Sequence, residues 1–206
     1  MSDRHRFKLT VAYDGRPFEG WQSQPSGNTI QDHLQSAVHA IHPESGAVHG
    51  SGRTDAGVHA LAQIAHFDAP TELKMDASAW LRALNTKLPR TIRMMNCEAV
   101  DSDFHARFSA TGKTYQYDLF TGQVLPPLRL GLAWHVTKTI DLQLLKEAAL
   151  RFEGRHDFAA FAANRGDPES NPTDTRRTIF SVQTQINGPD LRLTFHGEGF
   201  LYKMVR

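Results

Sequence analysis

The stretch Gly50-Ser51-Gly52-Arg53-Thr54-Asp55-Ala56-Gly57-Val58-His59-Ala60 places one carboxylate two residues from one guanidinium and brackets both with three glycines. Glycine reaches positive φ cheaply and lets other backbone come close, but it costs chain entropy. Such a cluster therefore marks a tight turn that holds charged groups at a fixed spot. Phosphate-cradle readings fail on spacing. Gly52 and Gly57 match the glycines of a Walker loop, yet Val58 and His59 stand where lysine and a hydroxyl are needed; Gly112-Lys113-Thr114 supplies those two but has Arg107 at the upstream glycine position. A dinucleotide fingerprint fails because Asp55, not a third glycine, follows Gly50 and Gly52. What survives is a carboxylate kept ionised by a nearby cation and able to act as nucleophile or base. The competing reading is a turn in which Asp55 only hydrogen-bonds neighbouring amides.

Positioning that loop requires strands on both sides, read at Ala47–His49 and Leu61–Phe67. Arg6–Tyr13 alternates polar and apolar and predicts a half-buried strand. The loop Asp14–Gly27 carries Phe18 and Trp21, read as anchors in preference to base-stacking surfaces. Asn28-Thr29 predicts a cap for a helix with Ile30, Leu34, Ala37, Val38 and Ile41 on one face. Its histidines, His33, His39 and His42, lack metal-pair spacing and read as surface residues. Asp76 caps a second helix, Asp76–Leu88, stopped by Pro89, and Thr91–Val100 is a strand. This strand-helix-strand-strand-helix-strand order predicts a ferredoxin-like split βαβ half.

A second half echoes the first: a strand at Lys113–Phe120, a loop Gly122–Gly131, and a helix Leu142–Phe152 capped by Asp141. A polar loop Asn164–Asp174 follows, then strands Arg176–Ile186 and Leu191–His196 joined by a hairpin-like turn. Phe200–Arg206 reads as the first turns of a helix. The fold class is thus α+β, two split βαβ halves building a largely antiparallel sheet flanked by helices, with domains over residues 1–105 and 106–206.

With 206 residues the chain can bury a core. Its 23 Lys and Arg against 22 Asp and Glu leave a net charge of +1, so nucleic-acid binding would need a local patch. The lone cysteine, Cys97, reads as an apolar packing residue and fits a reducing compartment. No run suits a signal peptide or a membrane span, and the expected location is cytoplasmic.

Gly-Arg-Thr-Asp-Ala-Gly-Val-His-Ala at residues 52–60 resembles the catalytic loop of the tRNA pseudouridine synthase A family. Phe104-His105-Ala106-Arg107, Lys113-Thr114-Tyr115-Gln116-Tyr117 and Gly199–Arg206 extend the resemblance in the same order across nearly the whole chain. It implies isomerisation of uridine to pseudouridine at positions 38, 39 and 40, in the anticodon arm of tRNA, by a homodimer. By resemblance Asp55 is the catalytic aspartate, Arg206 the basic residue that pairs with it, and Tyr115 the active-site tyrosine. Arg53 matches an arginine used near the substrate backbone during base flipping.

The implied reaction breaks N1–C1′, turns the uracil and joins C5 to C1′ without redox change, so it needs no cofactor and no metal. Attack on the sugar, proton abstraction from it and attack at the base all remain open for Asp55. Flipping a uridine costs a few kcal/mol and calls for cationic phosphate contacts; the candidates are Arg53, Arg107, Lys113, Arg176, Arg177 and Lys203. The family continues past Met204-Val205-Arg206 through a further helix, and the apolar face Leu191, Leu193, Phe195 expects a cover from the helix starting near Phe200. Two rival readings are an RNA-binding module without catalysis and a metal-dependent hydrolase using the 11 histidines, the latter lacking H-E-x-x-H.

Overall fold

The computed structural model describes residues 4–163 and 174–205. Arg206 and all of the expected polar loop except Asp174 lie outside these residues. The chain forms two compact units, Met1–Ala110 and Thr111–Arg206.

In the first unit, strand β1 (Arg4–Tyr13) buries Phe7, Leu9, Val11 and Tyr13, as its alternation requires. Helix α1 (Ile30–Ile41) starts at Thr29, whose hydroxyl accepts the Asp32 N–H (3.2 Å) and donates to the Asp32 carboxylate (2.6 Å). This reciprocal cap directs Ile30, Leu34, Ala37 and Val38 inward. His39 is exposed, whereas His33 and His42 are half-buried, His33 because its ring meets Phe18 edge-on at 5.1 Å.

Strands β2 (His49–Gly50) and β3 (Ala60–Pro70) flank the Asp55 loop. Helix α2 (Ala77–Lys87), capped by Asp76, buries Trp80 and Leu84 and leads to β4 (Ile92–Val100). The sheet order β2-β3-β1-β4, with every neighbouring pair antiparallel, is the split βαβ arrangement, and both helices share one core with the Phe7 face of β1.

The second unit contains β5 (Lys113–Phe120), β6 (Trp134–His135), α3 (Leu142–Leu150), β7 (Gly154–Asp157), β8 (Arg176–Asn187) and β9 (Asp190–Gly197). Its sheet runs β6-β5-β9-β8-β7. Here the echo of the first unit is incomplete. Only Gly188 (φ +57°) and Pro189 separate β8 from β9, so these strands must pair as a hairpin, whereas α2 separates β3 from β4 and lets β1 enter between them. The mixed α+β, mostly antiparallel class stands, in two sheets.

Residues 201–205 form turns and not the expected helix. Lys203 has φ +60°, a left-handed conformation that interrupts α-helical hydrogen bonding. The apolar face of β9 is covered by Phe152 and Phe158, with Leu201 in the same small core. An apolar pocket of about 200 Å³ remains among Phe152, Phe161, Phe195, Phe200 and Met204.

Candidate active site

The Asp55 loop is pinned from several directions. Ser51 N–H donates to the Ile64 carbonyl (2.7 Å), the Ser51 hydroxyl to Gln63 Oε1 (2.9 Å), and the Gln63 amide back to the Gly52 carbonyl. The Tyr13 and Thr54 hydroxyls share a 2.8 Å hydrogen bond, and Trp21 N–H donates to the Thr54 carbonyl (3.0 Å). Immediately after the aspartate, Val58 N–H closes a turn on the Asp55 carbonyl (3.1 Å), with Gly57 at φ +78°.

The loop 14–20 runs against this one, and two of its glycines mark the closest approach. A Cβ on Gly15 would strike the Val58 carbonyl, and one on Gly20 would lie 2.6 Å from the Thr54 oxygen. The Trp21 indole, nearly fully buried, lies under Gly50 with no room for a Cβ. Phe18 and Trp21 are therefore anchors. His59 joins the same junction, 3.3 Å from the Asp14 carboxylate, which the Arg16 guanidinium holds down at a pKa of about 2.

Asp55 itself is half-buried. Within the first unit its carboxylate has no hydrogen-bond or ion-pair partner among the described residues, and the turn is made by its backbone instead. The exposed Arg53, two residues away, does not pair with it. The loop thus presents an ionisable group that its own architecture does not consume.

The other candidates are carried by other elements. Arg107 is exposed at the end of the first unit, its guanidinium 5.8 Å from the Phe108 ring. In the second unit, Lys113 begins β5 opposite Gly197, and Tyr115, half-buried two residues on, meets the Phe200 ring edge-on at 4.9 Å. Lys203 is exposed with its ammonium 5.2 Å from the Tyr202 ring. Arg177 donates to the Asp174 carbonyl (3.0 Å), and Arg176 is exposed on β8.

The family model described as tRNA pseudouridine synthase matches residues 9–109 and 148–206. The chain belongs to the tRNA pseudouridine synthase family. A protein named tRNA pseudouridine synthase A from Akkermansia muciniphila is 51% identical over 203 residues, covering 98% of this chain and 77% of the relative. Similar proteins from Protochlamydia amoebophila, tRNA pseudouridine synthase A 1, and Methylacidiphilum infernorum, tRNA pseudouridine synthase A, are each 44% identical. These alignments cover 98% and 97% of this chain and 78% and 76% of those relatives.

In this pseudouridine synthase the residues that sequence reasoning missed are those that hold the aspartate loop: Gly15, Gly20, Tyr13, Gln63 and His59. A Gly-rich segment shows that something comes close but not what, so the only available signal was the presence of Gly15 and Gly20 in one loop. A histidine group was also missed. The rings of His49, His66 and His105 cluster with centroids 4.6 to 5.8 Å apart, His49 stacked on His66 and His105 edge-on to it; His66 Nδ1 accepts the Ala106 N–H (3.2 Å), and His105 Nδ1 accepts those of Arg107 (3.1 Å) and Phe108 (3.4 Å). Burial, reinforced by the neighbouring His105 and His49 rings and the Arg6 guanidinium, pushes the His66 pKa down to about 4. Among the described residues no group of three or more His, Cys, Asp or Glu is arranged to hold a metal ion, and no helix is long and apolar enough to cross a membrane.

Proposed function

We propose that this chain converts uridine to pseudouridine at positions 38, 39 and 40 of the anticodon arm of tRNA, with Asp55 as the catalytic residue. Family membership supports the isomerisation and tRNA as its substrate. The observation that carries the assignment of Asp55 is its carboxylate, fixed on a many-point-anchored loop and yet without a structural bond in its own unit. A surface turn has no need of such anchoring, whereas a reacting group must be held to within a fraction of an ångström. Ionised, the carboxylate can attack or deprotonate the nucleoside while N1–C1′ opens and C5–C1′ closes.

The remaining roles are those the family resemblance implies, and each suits the chemistry of its side chain. Tyr115 offers a ring face to the detached uracil so that it does not leave before C5 turns to the sugar. Arg206 pairs with Asp55 and keeps it ionised. Arg53, Arg107, Lys113 and Lys203 contact phosphates and offset the cost of drawing the uridine out of its stack. The enzyme works in the cytoplasm as a homodimer. Support for association comes from large apolar side chains exposed on the second unit, among them Leu128 (92%), Leu130 (68%) and Trp134 (59%).

Asp55→Asn keeps the shape and removes the charge. Mapping pseudouridine in tRNA by mass should find none formed by the variant, with tRNA affinity within a few-fold of the parent and the melting temperature little changed. Appreciable residual turnover would remove Asp55 from the reaction, and a collapse in melting temperature would make it a structural turn residue.

A further inference from the structure

Phe108 is the most exposed Phe or Trp ring among the described residues, at 76%. It ends a column of rings that begins in the sheet: His66, buried on β3, meets His105 at 4.6 Å, and His105 meets Phe108 at 4.4 Å. The turn that presents it is closed on itself. His105 N–H donates to the Ser109 hydroxyl (3.0 Å), Ser109 N–H to the His105 carbonyl (2.8 Å), and the Arg107 and Phe108 amides to His105 Nδ1. Arg6 fixes the approach, donating to the Ser102 and Phe104 carbonyls (2.5 and 2.8 Å) while forked on Asp68. A phenyl ring is thus held rigidly in water with the Arg107 guanidinium over it, 5.8 Å from its centroid.

We propose that Phe108, with Arg107 beside it, is a platform on which an unpaired base of the RNA substrate stacks while its phosphate pairs with Arg107. The proposal rests on the tRNA reading above and adds a contact that takes no part in the chemistry of Asp55. A flat ring takes any base face, and a neighbouring cation takes the phosphate that must accompany it. Asp101 and Asp103 line a shallow hollow with Phe104 and Ser109. That hollow repels phosphate, so the sugar–phosphate chain of the stacked nucleotide leaves on the Arg107 side.

The test uses the full chain with unmodified tRNA and with oligouridine. Phe108→Ala should weaken tRNA binding about ten- to a hundredfold, the usual loss for one stacked base, while leaving the salt slope unchanged. Arg107→Ala should lower that slope by about one. Phe108→Trp should bind like the parent and show indole quenching by both RNAs beyond any change in the parent's own tryptophans. Binding by Phe108→Ala within twofold of the parent, or unquenched Phe108→Trp emission, overturns the proposal. So does an altered sedimentation of Phe108→Ala at unchanged RNA affinity, which would make the ring a protein contact. If the parent binds tRNA and Phe108→Trp is quenched as expected but the parent forms no pseudouridine, the catalytic reading falls and this one stands; a parent that isomerises tRNA while Phe108→Trp stays unquenched removes this one alone.

Discussion

Gly20→Ala is the perturbation that separates holding the Asp55 loop from merely folding it. Gly20 has φ +94°, and a Cβ there would stand 2.6 Å from the Thr54 oxygen, 3.1 Å from the Asp55 carbonyl carbon and 3.2 Å from the Ala56 nitrogen. All three are backbone atoms, so no side-chain rotation relieves the contact. Left-handed strain at a non-glycine residue costs about 1 kcal/mol or more, and overpacking of this kind about 1–3 kcal/mol, for a total of about 2–4 kcal/mol. At about 2–4 °C per kcal/mol for a chain of this size, the melting temperature should fall by roughly 4–16 °C. Restoring ordinary contact requires residues 54–56 to retreat by about 1 Å, a displacement that costs on the order of a hundredfold in turnover when it moves a reacting group.

Gly27→Ala is the matched control. Gly27 is also at positive φ, +69°, but a Cβ there meets nothing within 4 Å. It should lose about 1 kcal/mol and keep full turnover. Single-turnover pseudouridine formation and thermal melting, measured side by side, read both effects. Turnover of Gly20→Ala within a few-fold of the parent, despite a lowered melting temperature, refutes the claim that this contact positions Asp55. Equal losses in the two variants would refute it as well, since backbone strain alone would then suffice.

The remaining predictions concern other links. Tyr115→Phe should retain far more activity than Tyr115→Ala, because the stacking face survives; equal inactivity would transfer the role to the hydroxyl. His66 titrates at about 4 in the folded chain and near its ordinary 6.5 when unfolded, so between these values the unfolded state binds the extra proton and stability rises with pH. Lowering the pH from 7 to 5.5 should therefore cost about 1 kcal/mol in urea unfolding, and a His66→Gln variant should lack that component of the dependence. Cys97 is buried, and that burial, with Glu98 and Asp76 nearby, pushes its thiol up to about 12. It should react with a thiol reagent at pH 8 only as fast as the protein unfolds; prompt labelling of the native protein would contradict its placement.

Much of the first unit was legible because its signals are local. Alternation in Arg6–Tyr13 and the Thr29 and Asp76 caps each state a structure within a few residues, and the structure has all three. In the second unit the local signals were weaker. Asp141 caps α3 as read, but Ala149 is its one fully buried residue, and β6 and β7, of two and four residues, are too short to show a period. The turn at residues 201–205 was read as helix because apolar spacing over so few residues does not distinguish the two, and Lys203 supplies no glycine to announce its left-handed φ.

The support of Asp55 was illegible for a different reason, since it depends on register. In the antiparallel pairing of β1 with β3, Tyr13 lies opposite Ala60. The chain leaving β1 and the chain entering β3 are therefore neighbours, and residues 14–20 have little choice but to run against residues 54–59. Once that pairing is fixed, Gly15 and Gly20 become necessary, because two backbones must pass where side chains have no room. A slip of one residue would turn Phe7, Leu9 and Val11 away from the helices, so the core itself enforces the register. Burial of the β1 face and placement of the aspartate are thus one constraint: the packing that stabilises the first unit also decides what stands beside Asp55.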